Sequence, residues 1–321
     1  MMKPLIAVAD SVFPNLDPAK KIFSKLDATV VLAENSTPDA ILDVARDADA
    51  LMVTFAQINS EVIAGLNKCR AIGRFGIGVD NIDIDAATNA GIQVSYVPDY
   101  CLDEVSDHAL ALLMSLARKI TYSNSLVQGG RWEGKAVAPL WRLRGRTLGL
   151  VGLGRIPQAL APKVQALGLN IIAHDPYVSA EVAAALNIEL VSFDELLQRS
   201  DCISLHAPLT EETEKLFSTS AFEKTKPEAF LINTARGPMV DEQALADALD
   251  AGRLAGAALD VLPSEPPAAD CPLLNRDNVI LTPHTAYYSE DALLDLQTKA
   301  AMDVASVLTG EAPLYPFNQL D

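Results

Sequence analysis

Three apolar runs in the second half of the chain each end on a residue suited to acid–base or carboxylate chemistry. Leu231-Ile232-Asn233 is followed by Thr234, Ala235 and Arg236. Ala257-Ala258-Leu259 is followed by Asp260 and, after a short loop, Glu265; Val279-Ile280-Leu281 is followed by Thr282, Pro283 and His284. Read as parallel strands, these runs carry a cation, a carboxylate and a histidine to the carboxyl edge of one sheet, where open α/β sheets bind ligands. An arginine pairs with a carboxylate in bidentate fashion and polarises an adjacent keto oxygen. A histidine gives a proton to an alkoxide, or takes one from a hydroxyl, near neutral pH. A carboxylate beside the imidazole orients it and favours its charged form. Together these are the groups that reduction of a 2-keto acid requires.

That reduction also needs a hydride, and a second motif points to its carrier. Leu148-Gly149-Leu150-Val151-Gly152-Leu153-Gly154-Arg155-Ile156-Pro157 reads as a buried strand breaking into a glycine turn that opens a helix. Gly152 and Gly154 allow the backbone to turn tightly and approach a pyrophosphate, and the amides of Arg155 and Ile156 can face the phosphates. Pro157 stands where the fingerprint usually has its last glycine. A helix's first-turn amides have no intrahelical acceptor, so the missing N–H costs little there. Asp175 follows the next apolar strand, about 20 residues on, where it accepts bonds from ribose hydroxyls and repels a 2′-phosphate. The expected cofactor is therefore NAD.

Two alternating strand–helix blocks must position these groups. In the first, strands are predicted at Leu5–Ala9, Thr29–Leu32, Ala50–Val53, Ala71–Arg74 and Gln93–Ser95, with helical patterns such as Pro38–Arg46 and Ser60–Leu66 between them. In the second, six strands are predicted at Thr147–Val151, Asn170–Ala173, Cys202–Leu205, Ala229–Asn233, Gly256–Leu259 and Val279–Leu281. Such alternation makes parallel sheets covered by helices. A long helix is expected from Leu102 to Ile120, then an irregular arm through Gly129, Trp132, Pro139 and Trp141. A last helix from Ser289 to Leu308 is too long to be another crossover of the second sheet and is expected to return the chain to the first domain. The expected fold is α/β, with two doubly wound parallel-sheet domains. Residues 1–100 and 287–321 form a discontinuous substrate (catalytic) domain, and residues 101–286 form the NAD-binding domain inserted into it.

The chain has 321 residues, half of them apolar, enough for a large core. Its formal charge of −17 argues against nucleic acid or an anionic membrane surface as a partner. No stretch has the uninterrupted apolar length of a membrane span. The apolar run at the N-terminus is a first strand, too short for a signal peptide. Four cysteines (Cys69, Cys101, Cys202 and Cys271) show neither C-x-x-C pairing nor metal-ligand spacing, which fits reduced thiols in a cytoplasmic protein and no bound metal. His108 lies on the long helix and reads as structural or interfacial.

Several segments together resemble the D-isomer-specific 2-hydroxyacid dehydrogenases: Phe75-Gly76-Ile77-Gly78-Val79-Asp80-Asn81-Ile82-Asp83, the glycine turn, Asn233 to Gly237, the stretch through Glu265, and Thr282-Pro283-His284. The match runs along essentially the whole chain. The resemblance implies two Rossmann-like domains, with Arg236 binding substrate, His284 as general acid/base and Glu265 as its partner. It implies that backbone amides around Ile77 and Gly78 hold the substrate carboxylate. It also implies that His206, Pro208, Thr210, Asn233, Thr234, Ala235 and Asp260 line the nicotinamide end. The segment from Thr282 to Glu290 looks most like the C-terminal binding protein branch, where an aromatic residue at the position of Tyr287 lines the pocket; Phe55 and Tyr100 are further candidate walls. Phosphoglycerate dehydrogenases are also broadly similar, but usually carry a phosphate-binding arginine in the loop corresponding to Val53–Gln57, and this chain has none there. An unphosphorylated 2-keto acid is therefore the expected small-molecule partner, with phosphoglycerate oxidation and a corepressor-like dinucleotide sensor as alternatives. The resemblance further suggests a homodimer, with the Tyr122–Trp141 arm and its preceding helix at the interface.

Overall fold

The computed structural model describes residues 3–320; Met1, Met2 and Asp321, at the outer ends of the predicted first domain, lie outside the described residues. Two compact units are present: residues up to Tyr100 with those from Ser289 on, and Cys101–Tyr288.

The first unit has five parallel strands: β1 (Leu5–Val8), β2 (Thr29–Leu32), β3 (Ala50–Val53), β4 (Ala71–Arg74) and β5 (Gln93–Ser95), ordered β2-β1-β3-β4-β5. β3 and β4 are buried along their whole length, as expected of central strands covered on both faces. Between strands run α1 (Asp17–Phe23), α2 (Pro38–Ala45), α3 (Ser60–Ala64) and α4 (Ile84–Asn89). Thr37, Asn59 and Asp83 cap three of these helices by accepting from Ala40, Val62 and Ala86 amides. The C-terminal helix Glu290–Thr309, capped by Ser289 and ended by left-handed Gly310, packs on α1 and β4. The chain then runs beside β5. Pro316 pairs with Ser95, and the buried Asn318 side chain accepts from Val94 N at 2.7 Å and donates to Ile92 O at 3.0 Å.

The second unit opens with α5 (Leu102–Arg118) and α6 (Ile120–Gln128). The single helix expected from Leu102 to Ile120 is instead broken at Lys119, whose φ is +49°. Lys119 N bonds back to Leu116 and Ser115, closing α5 with a left-handed cap. The helix therefore restarts inside the expected arm, which begins only after Gln128. The sheet that follows holds β6 (Thr147–Val151), β7 (Asn170–His174), β8 (Glu189–Leu190), β9 (Cys202–Leu205), β10 (Ala229–Asn233), β11 (Leu254–Leu259) and β12 (Val279–Leu281). It has seven strands rather than the six expected, because two-residue β8 adds an edge beside β7. All are parallel, in the order β12-β11-β10-β9-β6-β7-β8, so the direction of winding switches between β6 and β9. Helices α7 (Arg155–Ala166), α8 (Ala180–Ala185), α9 (Phe193–Arg199), α10 (Thr219–Phe222) and α11 (Glu242–Asp250) link the strands. α5 packs on α7, β10 and β11. α9 lies close on β6 because Gly149 has no side chain; a Cβ there would fall 2.1 Å from Ser200 Oγ. Among the described residues no helix is long and apolar enough to cross a membrane.

Asn318→Ala would strip Val94 N and Ile92 O of buried partners. Urea unfolding is expected to show a loss of about 2 kcal/mol or more; an unchanged midpoint would contradict this role of the tail.

Candidate active site

Because every strand of the second sheet is parallel, the turns after β12, β11, β10, β9, β6 and β7 lie in a row along one edge. In that order they carry His284, Asp260 with Glu265, Arg236, His206, the glycine turn and Asp175. Five inter-strand steps make the row roughly 24 Å long at about 4.8 Å per step. His284 and Glu265 occupy one end and Asp175 the other.

At the first end, His284 Nδ1 lies 2.7 Å from Glu265 Oε2. Glu265 accepts from Leu262 N through its other oxygen at 3.0 Å, which fixes the carboxylate's orientation. Partial burial would push the Glu265 carboxyl up, but the bond and charge of His284, the Leu262 amide and the charge of Arg236 outweigh it. The carboxyl is held below its usual range. With Nδ1 turned to a carboxylate, any proton this ring exchanges with a substrate would be carried on Nε2. Tyr287 stands edge-on to the His284 ring, centroids 6.0 Å apart.

The loop bearing His284 wraps around Asp260. This carboxylate, 1% exposed, accepts from Thr282 Oγ1 at 2.5 Å and from the amides of Thr285 and Ala286 at 2.9 Å each. His284 N donates to the Asp260 carbonyl at 2.8 Å, and its backbone is left-handed with φ +53°. A non-glycine residue enters that region only where its surroundings hold it. Asp260, expected at the nicotinamide end, thus has its side chain turned into the His284 loop.

Asn233 is used similarly. Its buried amide accepts from Ala235 N and donates to the Arg236 carbonyl, both at 2.9 Å, which shapes the turn presenting Arg236. Arg236 itself donates to Ala235 O at 2.8 Å. Gly237 brings this turn against the Glu265 loop: a Cβ there would lie 2.0 Å from the Leu262 carbonyl carbon. Sequence reading missed Gly237 as a site residue; its place directly after the arginine was the available signal.

The residues present fit a dinucleotide. Gly152 has φ +92°, and a Cβ there would strike the His206–Ala207 backbone at 2.9 Å. Gly154, by contrast, caps α7 with open space where its Cβ would be, leaving room above the amides of Arg155 and Ile156. Pro157 is the third residue of α7 and is buried, behind those amides. Thr234 Oγ1, on the turn between β10 and Arg236, is buried with no hydrogen-bond partner in the structure. Asp175 accepts from Leu153 N at 2.7 Å and from Tyr177 N at 2.8 Å, tying the ribose end to the glycine turn. The loop with Pro208 and Thr210 is pinned by Thr213, whose hydroxyl donates to Pro208 O at 2.7 Å and accepts from Thr210 N at 2.8 Å. His206 Nε2 meets Ser204 Oγ at 2.8 Å, and burial pushes its imidazole down to about 4, so it stays neutral near pH 7.

A family profile described as D-isomer specific 2-hydroxyacid dehydrogenase, NAD binding domain, matches residues 110–286. The chain belongs to this dehydrogenase family. A D-3-phosphoglycerate dehydrogenase from Archaeoglobus fulgidus is 41% identical over 86% of the chain and 52% of its own length. The chain thus spans about half the length of the curated relatives it matches. Among solved structures, a Thermus thermophilus protein is 31% identical with TM-score 0.89, covering 98% of this chain and 100% of that one. A D-lactate dehydrogenase from Aquifex aeolicus, complexed with NAD and lactic acid, is 27% identical with TM-score 0.87 over 96% of each chain. The two-domain Rossmann-like fold and the NAD cofactor of the 2-hydroxyacid dehydrogenase family are therefore those of this chain. Its relatives favour the phosphoglycerate dehydrogenase-like side of the branch named by its motifs.

In the first unit, Ile77 and Gly78 lie in the loop that follows β4. Arg74, absent from the expected site, organises that loop: Nε donates to Gly78 O at 2.9 Å and Nη1 to Phe75 O. Its guanidinium is also 5.7 Å from the centroid of the half-exposed Phe55 ring. The signal for it was a charged residue closing an otherwise apolar strand just before Gly76-Ile77-Gly78. Tyr100, the other candidate wall, closes the N-terminal segment of this unit.

Two outcomes follow from this geometry. Glu265→Gln removes the carboxylate that meets His284 Nδ1 at 2.7 Å and leaves an amide that fixes the ring less well. If His284 acts on the keto oxygen, kcat is expected to fall about tenfold with NADH affinity unchanged; an unchanged kcat would contradict the pairing. Asp175→Ala should weaken NADH binding about tenfold, since it also frees the Leu153 amide, and should narrow the preference over NADPH. Calorimetry with both nucleotides checks this, and an unchanged affinity ratio would remove Asp175 as the ribose reader.

Proposed function

We propose that the chain is an NAD-dependent oxidoreductase interconverting a 2-keto acid and a D-2-hydroxy acid. Arg236 binds the substrate, Glu265 orients the imidazole and His284 is the general acid/base. The observation that carries this reading is the 2.7 Å contact between His284 Nδ1 and Glu265 Oε2, one strand away from Arg236. When bound, the nicotinamide supplies or accepts the hydride. In reduction, Arg236 pairs with the substrate carboxylate and polarises the keto oxygen, and His284 Nε2 gives that oxygen its proton. In oxidation, the same nitrogen takes the hydroxyl proton, and Glu265 stabilises the imidazolium that results.

An unphosphorylated substrate fits the first unit better. No cation stands between Val53 and Gln57, and buried Arg74 is engaged by its own turn's carbonyls. The names of the curated relatives favour a second reading, D-3-phosphoglycerate dehydrogenase. The resemblance supports a homodimer through the arm around Trp132, a ring 88% exposed.

NADH oxidation with glyoxylate, pyruvate, hydroxypyruvate, longer 2-keto acids and 3-phosphohydroxypyruvate separates these readings. Turnover of unphosphorylated acids is expected, and His284→Ala should reduce kcat by about 10³-fold while NADH still binds. Preference for the phosphorylated acid would establish the second reading. Tight NADH binding without any turnover would instead support the dinucleotide sensor.

A further inference from the structure

His108 lies on α5 and reaches the loop that carries His284. Its Nε2 is 3.0 Å from Thr282 Oγ1 and 3.5 Å from Asp260 Oδ1. The donors and acceptors fix the direction of this chain. Both Asp260 oxygens accept from loop amides, and Thr282, 2.5 Å away, donates its one hydroxyl proton to the same carboxylate. The Thr282 oxygen is then an acceptor toward His108, and Nε2 must carry a hydrogen. That holds for the neutral Nε2–H tautomer and for the imidazolium alike.

Thr282, Thr285 and Ala286 flank His284, and all three are fastened to the Asp260 carboxylate. Those bonds keep His284 in its left-handed conformation and its ring toward Glu265. Without a donor from α5, the Thr282 hydroxyl is freer to rotate away from Asp260 and release one side of the turn. We propose that His108 is a positioning residue for His284, acting through Thr282 and Asp260 by donating its Nε2–H to the threonine oxygen. Its effect on turnover rests on the acid/base reading of His284; its effect on the geometry of His284 does not.

The test uses the full chain labelled with ¹⁵N-histidine, whose four histidines give a countable set of ring signals. Long-range ¹H–¹⁵N spectra report the tautomer of each ring, and His284→Gln assigns its signal. Wild-type His108 is expected to carry its hydrogen on Nε2, and His284 a Nδ1–H shifted downfield by Glu265. His108→Gln places an amide donor at the reach of imidazole Nε2, His108→Asn reaches only the Nδ1 position, and His108→Leu has no donor. The Gln variant should keep the His284 signals and a kcat within about threefold of wild type. The Asn and Leu variants should shift the His284 Nδ1–H and lose about tenfold or more in kcat, with NADH affinity unchanged. Thr282→Val, which removes the receiving oxygen from the other side, should shift the same signal and keeps the test open if the Leu variant does not fold.

Unaltered His284 signals in the Asn, Leu and Val variants would overturn the proposal, as would a Gln variant as impaired as Leu. If wild type turns over no keto acid, the proposed function fails, and the His284 spectrum alone still decides the positioning role.

Discussion

The site depends on one buried carboxylate. Asp260 directly follows β11, and its two oxygens collect a hydroxyl and two amides from the loop that follows the neighbouring strand, β12. A hydrogen bond to a charged group contributes about 1.5–3 kcal/mol, so three of them outweigh the cost of about 1–3 kcal/mol of a single left-handed residue. That residue is His284. The strain is local, and undoing the turn would take three partners from a buried carboxylate. His284 is thus held by backbone and loop bonds, and its ring meets Glu265.

The same economy recurs along the sheet edge. Asn233 shapes the turn behind Arg236, Glu265 takes the Leu262 amide as well as the imidazole, and Asp175 ties the second strand of the nucleotide half to the glycine turn. In each case a polar side chain beyond the end of a strand serves the backbone of a turn at the same sheet edge. Glycine marks where two such loops meet: Gly237 against Leu262, and Gly152 against His206. Preorganisation of this kind is what lets hydrogen-bonding groups act without rearranging as charge develops.

Much of this was legible in the sequence, for physical reasons. Buried parallel strands are continuous apolar runs, so β3, β6, β9 and β10 announced themselves, and the residues after them could be assigned to one edge. β8 was not legible because two residues carry no period. The break at Lys119 was invisible because Arg118-Lys119-Ile120 contains neither glycine nor proline, and a lysine was not the residue expected in a left-handed cap. Residue type also did not reveal whom a side chain serves. Asp260 and Asn233 were read toward the cofactor, and residue type did not show that their oxygens also hold loop amides and a hydroxyl. His108 and Thr282 are 174 residues apart in sequence, and their meeting follows from the packing of α5 on β10 and β11, which no local pattern encodes.

The central claim is direct hydride transfer to the keto carbon. The most direct measurement is the reduction of a 2-keto acid turned over by the chain, using nicotinamide-4-deuterated NADH in ordinary water, with the product examined by NMR and chiral chromatography. The account predicts a D-2-hydroxy acid bearing deuterium at C2 when the transferred face of the nicotinamide is labelled. A product of L configuration, or one without deuterium at C2 from either face of the labelled nicotinamide, would contradict it.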